Sequence, residues 1–416
     1  MSDQITLNQI LLDQLINGKR PAGPFSSRQM KVLENIALCG TAYYGFSKCT
    51  CQDCGHSEIH YGTCSDPNCP TCGGAKRRKW VSRQNEKAIA ATAWHIIFTV
   101  PDRYLNRIAL HDQRFFYNAL FKASAKAIEK LSADPKYFGA KKTGFFSCLH
   151  TWGSTLSFHP HIHMVFYGAG LDEAGELVRC PYGTNFIFPA KVLAKVFKQE
   201  MMKILRRRYE TNGSCWIWDL ADAGRAAWNV QIQKGQDNPR NAINYLGRYV
   251  NRTAISNSRI HGYDGKYVTF EYKDYRDHGS HKNTDGSEDR CACVKKEMTL
   301  SAGEFIRRFA LHIPPRQFRR VRFYGFLSTT QKKTLERMKE LTGTPDVICE
   351  SESPGIDEAL LKEAANGWDK CKKCSGPMER SGFKERSSRR SLDPKRYLLA
   401  LRSRKATMDN QPKTIQ

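Results

Sequence analysis

The chain has 416 residues, more than one hydrophobic core usually serves, so we expect two or three structural units. Its 66 lysines and arginines outnumber its 41 aspartates and glutamates, and the net charge of +25 favours nucleic acid as a partner over an anionic membrane surface. The sequence has no apolar run of about 18 residues and no secretory signal pattern, which argues against a spanning or secreted protein.

The first 38 residues carry an apolar stripe at helical spacing, which predicts a docking helix. From Cys39 to Cys72 the composition changes to cysteine, glycine, aspartate and asparagine, as in a small module without an apolar core. Cys51 with Cys54, and Cys69 with Cys72, have the Cys-x2-Cys spacing at which both thiolates of a pair reach one tetrahedral ion. Because clustered cysteines of an intracellular protein are more often metal ligands than disulfides, we predict structural zinc.

Other cysteines leave the number of zinc ions open. Cys39, Cys49 and Cys64 lie near the two pairs and could supply a second site, but spacing alone does not identify its ligands. Reduced structural cysteines without a metal are the alternative. The isolated pair Cys371 and Cys374 is a weaker signal, typical either of a degenerate knuckle or of no site.

A basic run follows the second cysteine pair and begins a helical stretch. Lys76, Arg77 and Arg78 belong to this run, and a folded zinc module would present them to DNA phosphates. The next segment, "WHIIFTVP", is rich in β-branched and aromatic residues and predicts the first strand of a larger domain.

From residue 94 onward the pattern alternates between two kinds of element, namely strands at 94–100, 145–151, 160–167, 228–234 and 267–275 and helices at about 111–132, 189–209 and 239–252. A β-α-β-β-α-β order predicts an α+β fold in which helices cover one face of an antiparallel sheet and leave the other face open for a ligand. The polar residues 277–295 predict a mobile insertion. A helix capped by Ser301 follows, and "RFYGFLS" predicts a further strand.

Three of four closely spaced histidines lie at alternate positions in "HTWGSTLSFHPHIHMVFYGAG". His159, His161 and His163 would point to one side of a strand, because side chains alternate between its faces. Packing is the alternative interpretation, but each buried imidazole needs a hydrogen-bond partner. The pattern therefore favours a divalent-metal site.

A second group lies in "NPRNAINYLGRYVNR". Tyr245 and Tyr249 are four residues apart, so on a helix both phenols project from one side, with Arg248 and Arg252 beside them. A packing pair is the more common interpretation of this spacing. The nearby metal strand and the basic charge favour a phenol that attacks phosphorus beside a metal-bound phosphate.

These motifs resemble those of a known family. The segment His161-Ile162-His163 resembles the HUH motif (His, bulky hydrophobic, His) of rolling-circle endonucleases. Together with "YLGRYVNRTAISNSRI" and "YKDYRD…MTLSAGEFIRRFALHIPPRQFRRVRFYG", the histidine stretch resembles the two-tyrosine HUH transposases of rolling-circle insertion sequences, which also carry an N-terminal zinc-binding domain. The similarity extends from about Cys39 to about Leu327, with the motifs in the family's order.

The resemblance implies a fold and a reaction. The fold would be an HUH nuclease core with a split βαβ, RRM-like antiparallel sheet, flanked by helices and preceded by a small zinc-binding module. The reaction would be the metal-dependent cleavage and transfer of single-stranded DNA at the ends of the element, through a 5′-phosphotyrosine. The implied cofactors are Mg²⁺ or Mn²⁺ for catalysis and Zn²⁺ for structure.

The resemblance also implies roles for individual residues. His161 and His163 would hold the catalytic metal, Tyr245 and Tyr249 would be the nucleophiles, and the zinc ligands would be Cys51, Cys54, Cys69 and Cys72. Arg248 and Arg252 would bind DNA phosphates. The third catalytic ligand is open, and its candidates are His159, Gln231, Gln233 and Asn241.

The chain departs from the family pattern at two positions of the zinc module. Asn68 stands where the family usually has a histidine, and Ser47 stands where it has another. A second zinc ion would therefore need Cys49 or another cysteine as a substitute ligand.

We predict three consecutive domains: an N-terminal helix with a zinc-binding domain at 1–90, the HUH two-tyrosine nuclease domain at 91–330 and a basic, partly disordered tail at 331–416. The expected partners are single-stranded and hairpin DNA at the element ends, target DNA and host replication proteins, and no membrane. We expect the protein in the bacterial cytoplasm, associated with the nucleoid.

Three rival functions remain at this point. A replication initiator or relaxase would use the same HUH chemistry, and a zinc-finger DNA-binding protein would use none of it. A transposase built on three carboxylates is the third alternative, although no acidic cluster stands out in the sequence.

Overall fold

The computed structural model describes residues 4–17, 24–210, 215–238, 253–278, 293–344, 370–384 and 393–409. Side chains are described for these residues except at 75–79, 275–278, 293, 380–384 and 404–409. The predicted helix at 239–252, most of the predicted insertion and parts of the predicted tail lie outside the described residues.

The described helices are α1 (Leu7–Ile16), α2 (Ser27–Ala37), α3 (Pro70–Asn85), α4 (Asp102–His111), α5 (Gln113–Ala133), α6 (Ala190–Tyr209), α7 (Ile217–Arg225), α8 (Ala302–Leu311), α9 (Lys332–Thr342) and α10 (Pro394–Asp409). The strands are β1 (Phe46–Cys51), β2 (Ser57–Tyr61), β3 (Ala93–Thr99), β4 (Gly144–Trp152), β5 (Phe158–Tyr167), β6 (Ala169–Leu171), β7 (Leu177–Arg179), β8 (Asn229–Ile232), β9 (Ile260–Tyr263), β10 (Tyr267–His278), β11 (Cys293–Ser301), β12 (Val321–Gly325) and β13 (Met378–Lys384). Helices combined with antiparallel sheets make the fold α+β, as the sequence predicts.

The chain forms two compact units that interleave along the sequence, whereas the predicted domains follow one another. The first unit comprises Met1–Ala75, Arg252–Ile313 and Cys349–Gln416, and the second comprises Lys76–Asn251 and Pro314–Ile348. Segments from both ends of the chain therefore belong to the same unit.

The first unit contains two three-stranded antiparallel sheets, in the orders β13-β1-β2 and β11-β10-β9. The predicted docking helix of the first 38 residues is in fact two helices, α1 and α2, which pack against each other, and α1 also packs against α8 and α10. The hydroxyl of Tyr263 on β9 donates to Asp13 Oδ2 at 2.6 Å, which ties α1 to the second of these sheets. The Ser301 side chain caps α8 as predicted, because its Oγ accepts from the Glu304 N–H at 3.3 Å.

The second unit is built around a five-stranded antiparallel sheet in the order β12-β4-β5-β3-β8. Strand β5 lies between β3 and β4, which α4 and α5 connect along the chain. Strand β12 extends the sheet beside β4, so the strand predicted from "RFYGFLS" is confirmed.

Helices pack on both faces of this sheet, so the predicted open face is partly covered. On the face of His163, the ring of Trp80 on α3 lies 5.5 Å from that of Phe146, and Met338 of α9 belongs to the same buried cluster.

Aromatic residues also pack on the other face. Phe98 on β3 is fully buried and its ring lies 5.1 Å from the ring of Phe197 on α6. Because side chains alternate along a strand, the neighbours of Phe98 on β3, Ile97 and Thr99, face the opposite side of the sheet.

No helix among the described residues is both long enough and apolar enough to cross a membrane.

Candidate functional site

Three histidine side chains converge on the sheet face opposite Phe98. His150 lies on β4, and His161 and His163 lie on β5. Strand register pairs His150 with His161, and His163 lies two residues further along the same face. Their ligand nitrogens all lie within 4.8 Å of one another. We call these three residues the histidine centre.

The hydrogen bonds of His161 determine which of its nitrogens can bind a metal. Its Nδ1 lies 2.7 Å from the backbone oxygen of His159, and a carbonyl oxygen only accepts, so Nδ1 carries the proton. Burial lowers the pKa of His161 to about 4, so the ring is neutral at pH 7. The lone pair of the neutral ring is therefore on Nε2.

Two consecutive hydrogen bonds, from His163 to His95 and from His95 to Gln233, determine which nitrogen of His163 can bind a metal. The Gln233 side-chain oxygen lies 2.9 Å from Nδ1 of His95, so that nitrogen donates. Burial lowers the pKa of His95 to about 4, so His95 is neutral and its Nε2 accepts from Nδ1–H of His163 at 2.8 Å. The lone pair of His163 is then also on Nε2. We call these two hydrogen bonds the Gln233–His95 relay.

With these tautomers, two nitrogen atoms that can only accept a hydrogen bond face each other. Nε2 of His161 and Nε2 of His163 are 3.0 Å apart. Two lone pairs at that distance repel unless a cation or a proton lies between them. Two nitrogens that bind one octahedral ion at about 2.1 Å and at right angles are also about 3.0 Å apart. The geometry therefore fits a bound divalent cation.

The other described candidates for the third ligand have different positions. Nδ1 of His159 lies 3.3 Å from Asp102 Oδ2 at the start of α4, and the Gln233 side chain contacts His95. Gln231 lies on β8 opposite Ile97, so it shares the sheet face of the histidine centre from two strands away. The remaining predicted catalytic and DNA-binding residues lie outside the described residues: Asn241, Tyr245, Arg248, Tyr249 and Arg252.

Sequence reasoning missed the parts played by His150 and His95. The signal for His150 was present, because a hairpin between the predicted strands 145–151 and 160–167 brings "HTWG" beside "HPHIH". His95 gave no comparable signal. It is a single histidine in the apolar run "WHIIFTVP", and its contact with His163 depends on the pairing of β3 with β5.

Cysteines of the first unit form two groups of four, each with its ligand atoms within 4.8 Å. The first group consists of Cys39, Cys64, Cys69 and Cys72, and the second consists of Cys51, Cys54, Cys371 and Cys374. The four predicted zinc ligands are thus divided between two groups. Cys49, buried in β1, belongs to neither, and Cys371 and Cys374 are not an isolated pair.

The first group has the features of a closed metal site. The sulfur of Cys72 lies 3.6 Å from that of Cys39 and 3.7 Å from that of Cys64. Four sulfurs around one zinc ion at about 2.3 Å are about 3.8 Å apart. Hydrogen bonds from Cys39, Cys64 and Cys69 hold the pKa of the Cys72 thiol far below its ordinary value, which favours the thiolate that a metal needs.

We expect Cys69→Ser to cost the protein one metal ion and to unfold the 39–72 region. Cys69 is fully buried in the first group, and a structural zinc contributes apparent binding energies of about 10–16 kcal/mol to folding. Elemental analysis and thermal melting would measure both effects. Cys49→Ser, at a buried cysteine outside both groups, is the matched control and should keep the full metal content.

The predicted basic residues of the zinc module lie on α3. The helix includes Lys76, Arg77 and Arg78, whose side chains lie outside the described residues.

Two family models match the chain. One, described as a putative transposase, matches residues 144–334, which include the histidine centre. The other, described as a transposase zinc-binding domain, matches residues 12–100, which include the first cysteine group but not Cys371 and Cys374. Both matches support the zinc-binding and transposase predictions, and structural Zn²⁺ fits the cysteine groups.

Two curated proteins are similar over most of the chain. The putative transposase y4qJ of Sinorhizobium fredii (strain NBRC 101917 / NGR234) is 33% identical over 333 residues, which cover 76% of this chain and 79% of that protein. The transposase for insertion sequence element IS801 of Pseudomonas savastanoi pv. phaseolicola is 28% identical over 319 residues, or 72% of this chain and 70% of that protein. No solved structure is significantly similar to the chain.

Proposed function

We propose, because this chain belongs to the IS91-type transposase family, that it is a rolling-circle transposase with an HUH nuclease core that cuts and joins single-stranded DNA. The histidine centre would be its catalytic metal site. The protein would act at the ends of its insertion sequence in the bacterial cytoplasm, in association with the nucleoid.

The topology of the sheet supports an HUH core. In the order β8-β3-β5-β4, β5 lies between the two strands that a helical crossover connects, which is the split βαβ arrangement of RRM-like sheets. The histidine centre lies on the face opposite the Phe98–Phe197 packing. The part of that face beside the histidine centre, away from the packing of Trp80 on Phe146, would receive a single strand or a hairpin of DNA.

The observation that carries the proposal is the pair of Nε2 atoms 3.0 Å apart on His161 and His163. All three side chains of the histidine centre offer nitrogen, which Mn²⁺ accepts more readily than Mg²⁺ does. A divalent cation held there would withdraw charge from the scissile phosphate. Among the described residues, no group of three or more acidic side chains offers a competing carboxylate site.

The remaining chemistry belongs to the tyrosines. The phenol oxygen of Tyr245 or Tyr249 would form a bond to phosphorus as the bond to the 3′ oxygen breaks. The phenol loses its proton and the 3′ oxygen gains one, which leaves a 5′-phosphotyrosine and a free 3′-OH. This hydroxyl could prime synthesis by host replication proteins.

A second tyrosine allows a second strand to be cut while the first stays attached. That sequence of events would move a single strand from donor to target DNA. Lys76, Arg77 and Arg78 of α3, together with Arg248 and Arg252, would bind neighbouring phosphates.

The test is a denaturing gel of the full chain with labelled single-stranded DNA that spans the element ends, with Mn²⁺, with Mg²⁺ and with EDTA. We expect a covalent protein–DNA adduct that requires the cation. If the protein binds the ends but forms no adduct and no nick under any condition, it is instead a DNA-binding protein with structural zinc and no nuclease activity.

We expect Gln233→Leu to weaken cation binding about 10–100-fold, the usual cost of losing a group that orients a metal ligand. Leucine removes the acceptor that fixes the proton on Nδ1 of His95, so the tautomer of His163 is no longer determined. Gln233→Glu is the conservative control, since a carboxylate also accepts from Nδ1–H. Mn²⁺ titration by calorimetry measures the effect, and equal affinities for the two variants would refute the relay.

A further inference from the structure

The second cysteine group joins two parts of the sequence that are more than 300 residues apart. Cys51 and Cys54 lie at the end of β1 and in the following turn, and Cys371 and Cys374 lie just before β13. Strand β13 pairs with β1 along its length, with Cys51 opposite Met378. The two Cys-x2-Cys pairs thus meet at one end of the β13-β1-β2 sheet.

The two turns have matching backbones. Gly55 follows the first pair with φ +67° and its N–H donates to the Cys51 carbonyl at 3.1 Å. Ser375 follows the second pair with φ +61° and its N–H donates to the Cys371 carbonyl at 2.8 Å. Serine rarely adopts a left-handed conformation, so the second turn keeps the same shape at some cost in strain.

The sulfur positions suit a metal and not a disulfide. Cys51 Sγ lies 3.5 Å from Cys374 Sγ, and Cys54 Sγ lies 3.6 Å from Cys371 Sγ. A disulfide requires about 2.05 Å, whereas sulfurs that share a zinc ion are about 3.8 Å apart. The N–H of Lys373 also points at Cys371 Sγ, 3.3 Å away, which stabilises a thiolate at that position.

We propose that Cys51, Cys54, Cys371 and Cys374 bind a second structural zinc ion, which closes the C-terminal segment onto the N-terminal zinc module. Two contacts beside the site support this closure. The ammonium of Lys372 lies 2.7 Å from Glu58 Oε2 on β2, and the Gln52 N–H donates to the Pro377 carbonyl at 3.0 Å. Residues 370–384 are then part of the zinc module and do not belong to an independent tail.

Zinc counting on the full chain tests the proposal. The wild-type protein, purified under reducing conditions, should lose one zinc ion per chain when Cys371→Ser and Cys374→Ser are combined. Cys51→Ser with Cys54→Ser should lose one ion as well, and the quadruple variant should lose no more than either pair, because all four residues share it. Cys180→Ser with Cys215→Ser, two thiols outside both groups, is the matched control and should lose none.

A second measurement does not depend on whether the variants fold. Cys54 and Cys374 are exposed residues, so an alkylating reagent should modify them readily unless zinc holds their sulfurs. In the wild-type protein we expect both to be protected until a chelator removes zinc, whereas exposed Cys215 reacts at once. Reaction of Cys54 and Cys374 at the rate of Cys215 in the zinc-loaded protein, or an unchanged zinc count in the Cys371/Cys374 variant, would overturn the proposal.

Discussion

Replacing both Tyr245 and Tyr249 with phenylalanine will abolish the covalent DNA adduct. Phenylalanine keeps the ring and removes the oxygen that bonds to phosphorus, so no 5′-phosphotyrosine can form. We expect cleavage of single-stranded element ends to fall by at least about 10³-fold, as for other enzymes that lose their nucleophile. A denaturing gel with labelled DNA and Mn²⁺ measures adduct and nick together.

The two single variants refine this result. If one tyrosine cuts first, its phenylalanine variant alone should lose the first adduct, and the other variant should stop after one cut. DNA binding by the double variant, measured by mobility shift, should stay near the wild-type level, because the substitution removes no charge. An adduct of undiminished yield in the double variant would rule out both tyrosines as nucleophiles.

Replacing His161 with alanine will remove both cation binding and cleavage. The substitution deletes one of the two Nε2 donors that lie 3.0 Å apart, and a two-donor remnant binds a divalent ion weakly. We expect cleavage at a fixed, subsaturating Mn²⁺ concentration to fall by about 10²-fold or more. Calorimetric Mn²⁺ titration and the adduct gel measure the two effects separately.

His159→Ala is the matched control for this substitution. His159 is on the same strand, but its side chain contacts Asp102, and the substitution leaves intact the backbone carbonyl that orients His161. His159→Ala should therefore keep cation binding, whereas His150→Ala should weaken it. The reverse order of the two affinities would make His159, and not His150, the third ligand.

Local residue patterns and spacing were enough to predict several elements of both units. Short runs rich in β-branched and aromatic residues located β3, β4 and β5, and the His-x-His spacing placed two imidazoles on one face of β5. The Cys-x2-Cys pairs predicted zinc, and Ser301 predicted the start of α8. Each of these signals lies within a few residues, where the geometry of one strand, turn or helix determines which side chains are neighbours.

Which cysteines lie together in one group could not be predicted in the same way. The grouping of Cys39 with Cys64, Cys69 and Cys72 depends on how a loop folds back, and the grouping of the other cysteines depends on β1 pairing with β13. Asn68, at a position where the family usually has a histidine, instead donates its side-chain N–H to Asp66 Oδ1 at 2.8 Å. The two Cys-x2-Cys pairs predicted Cys51 and Cys69 as ligands together, because the two pairs are close to each other along the chain.

The sequence by itself determined the basic charge, the zinc knuckles and the histidine strand, because composition and short-range spacing carry all three, and the order of its motifs carried the resemblance to the family. Only the tertiary structure decided that His150 completes the histidine centre, that His95 and Gln233 set the tautomer of His163, and that the C-terminal cysteines join the N-terminal ones. Those contacts join strands that are distant in sequence, and the register of the assembled sheets selects them.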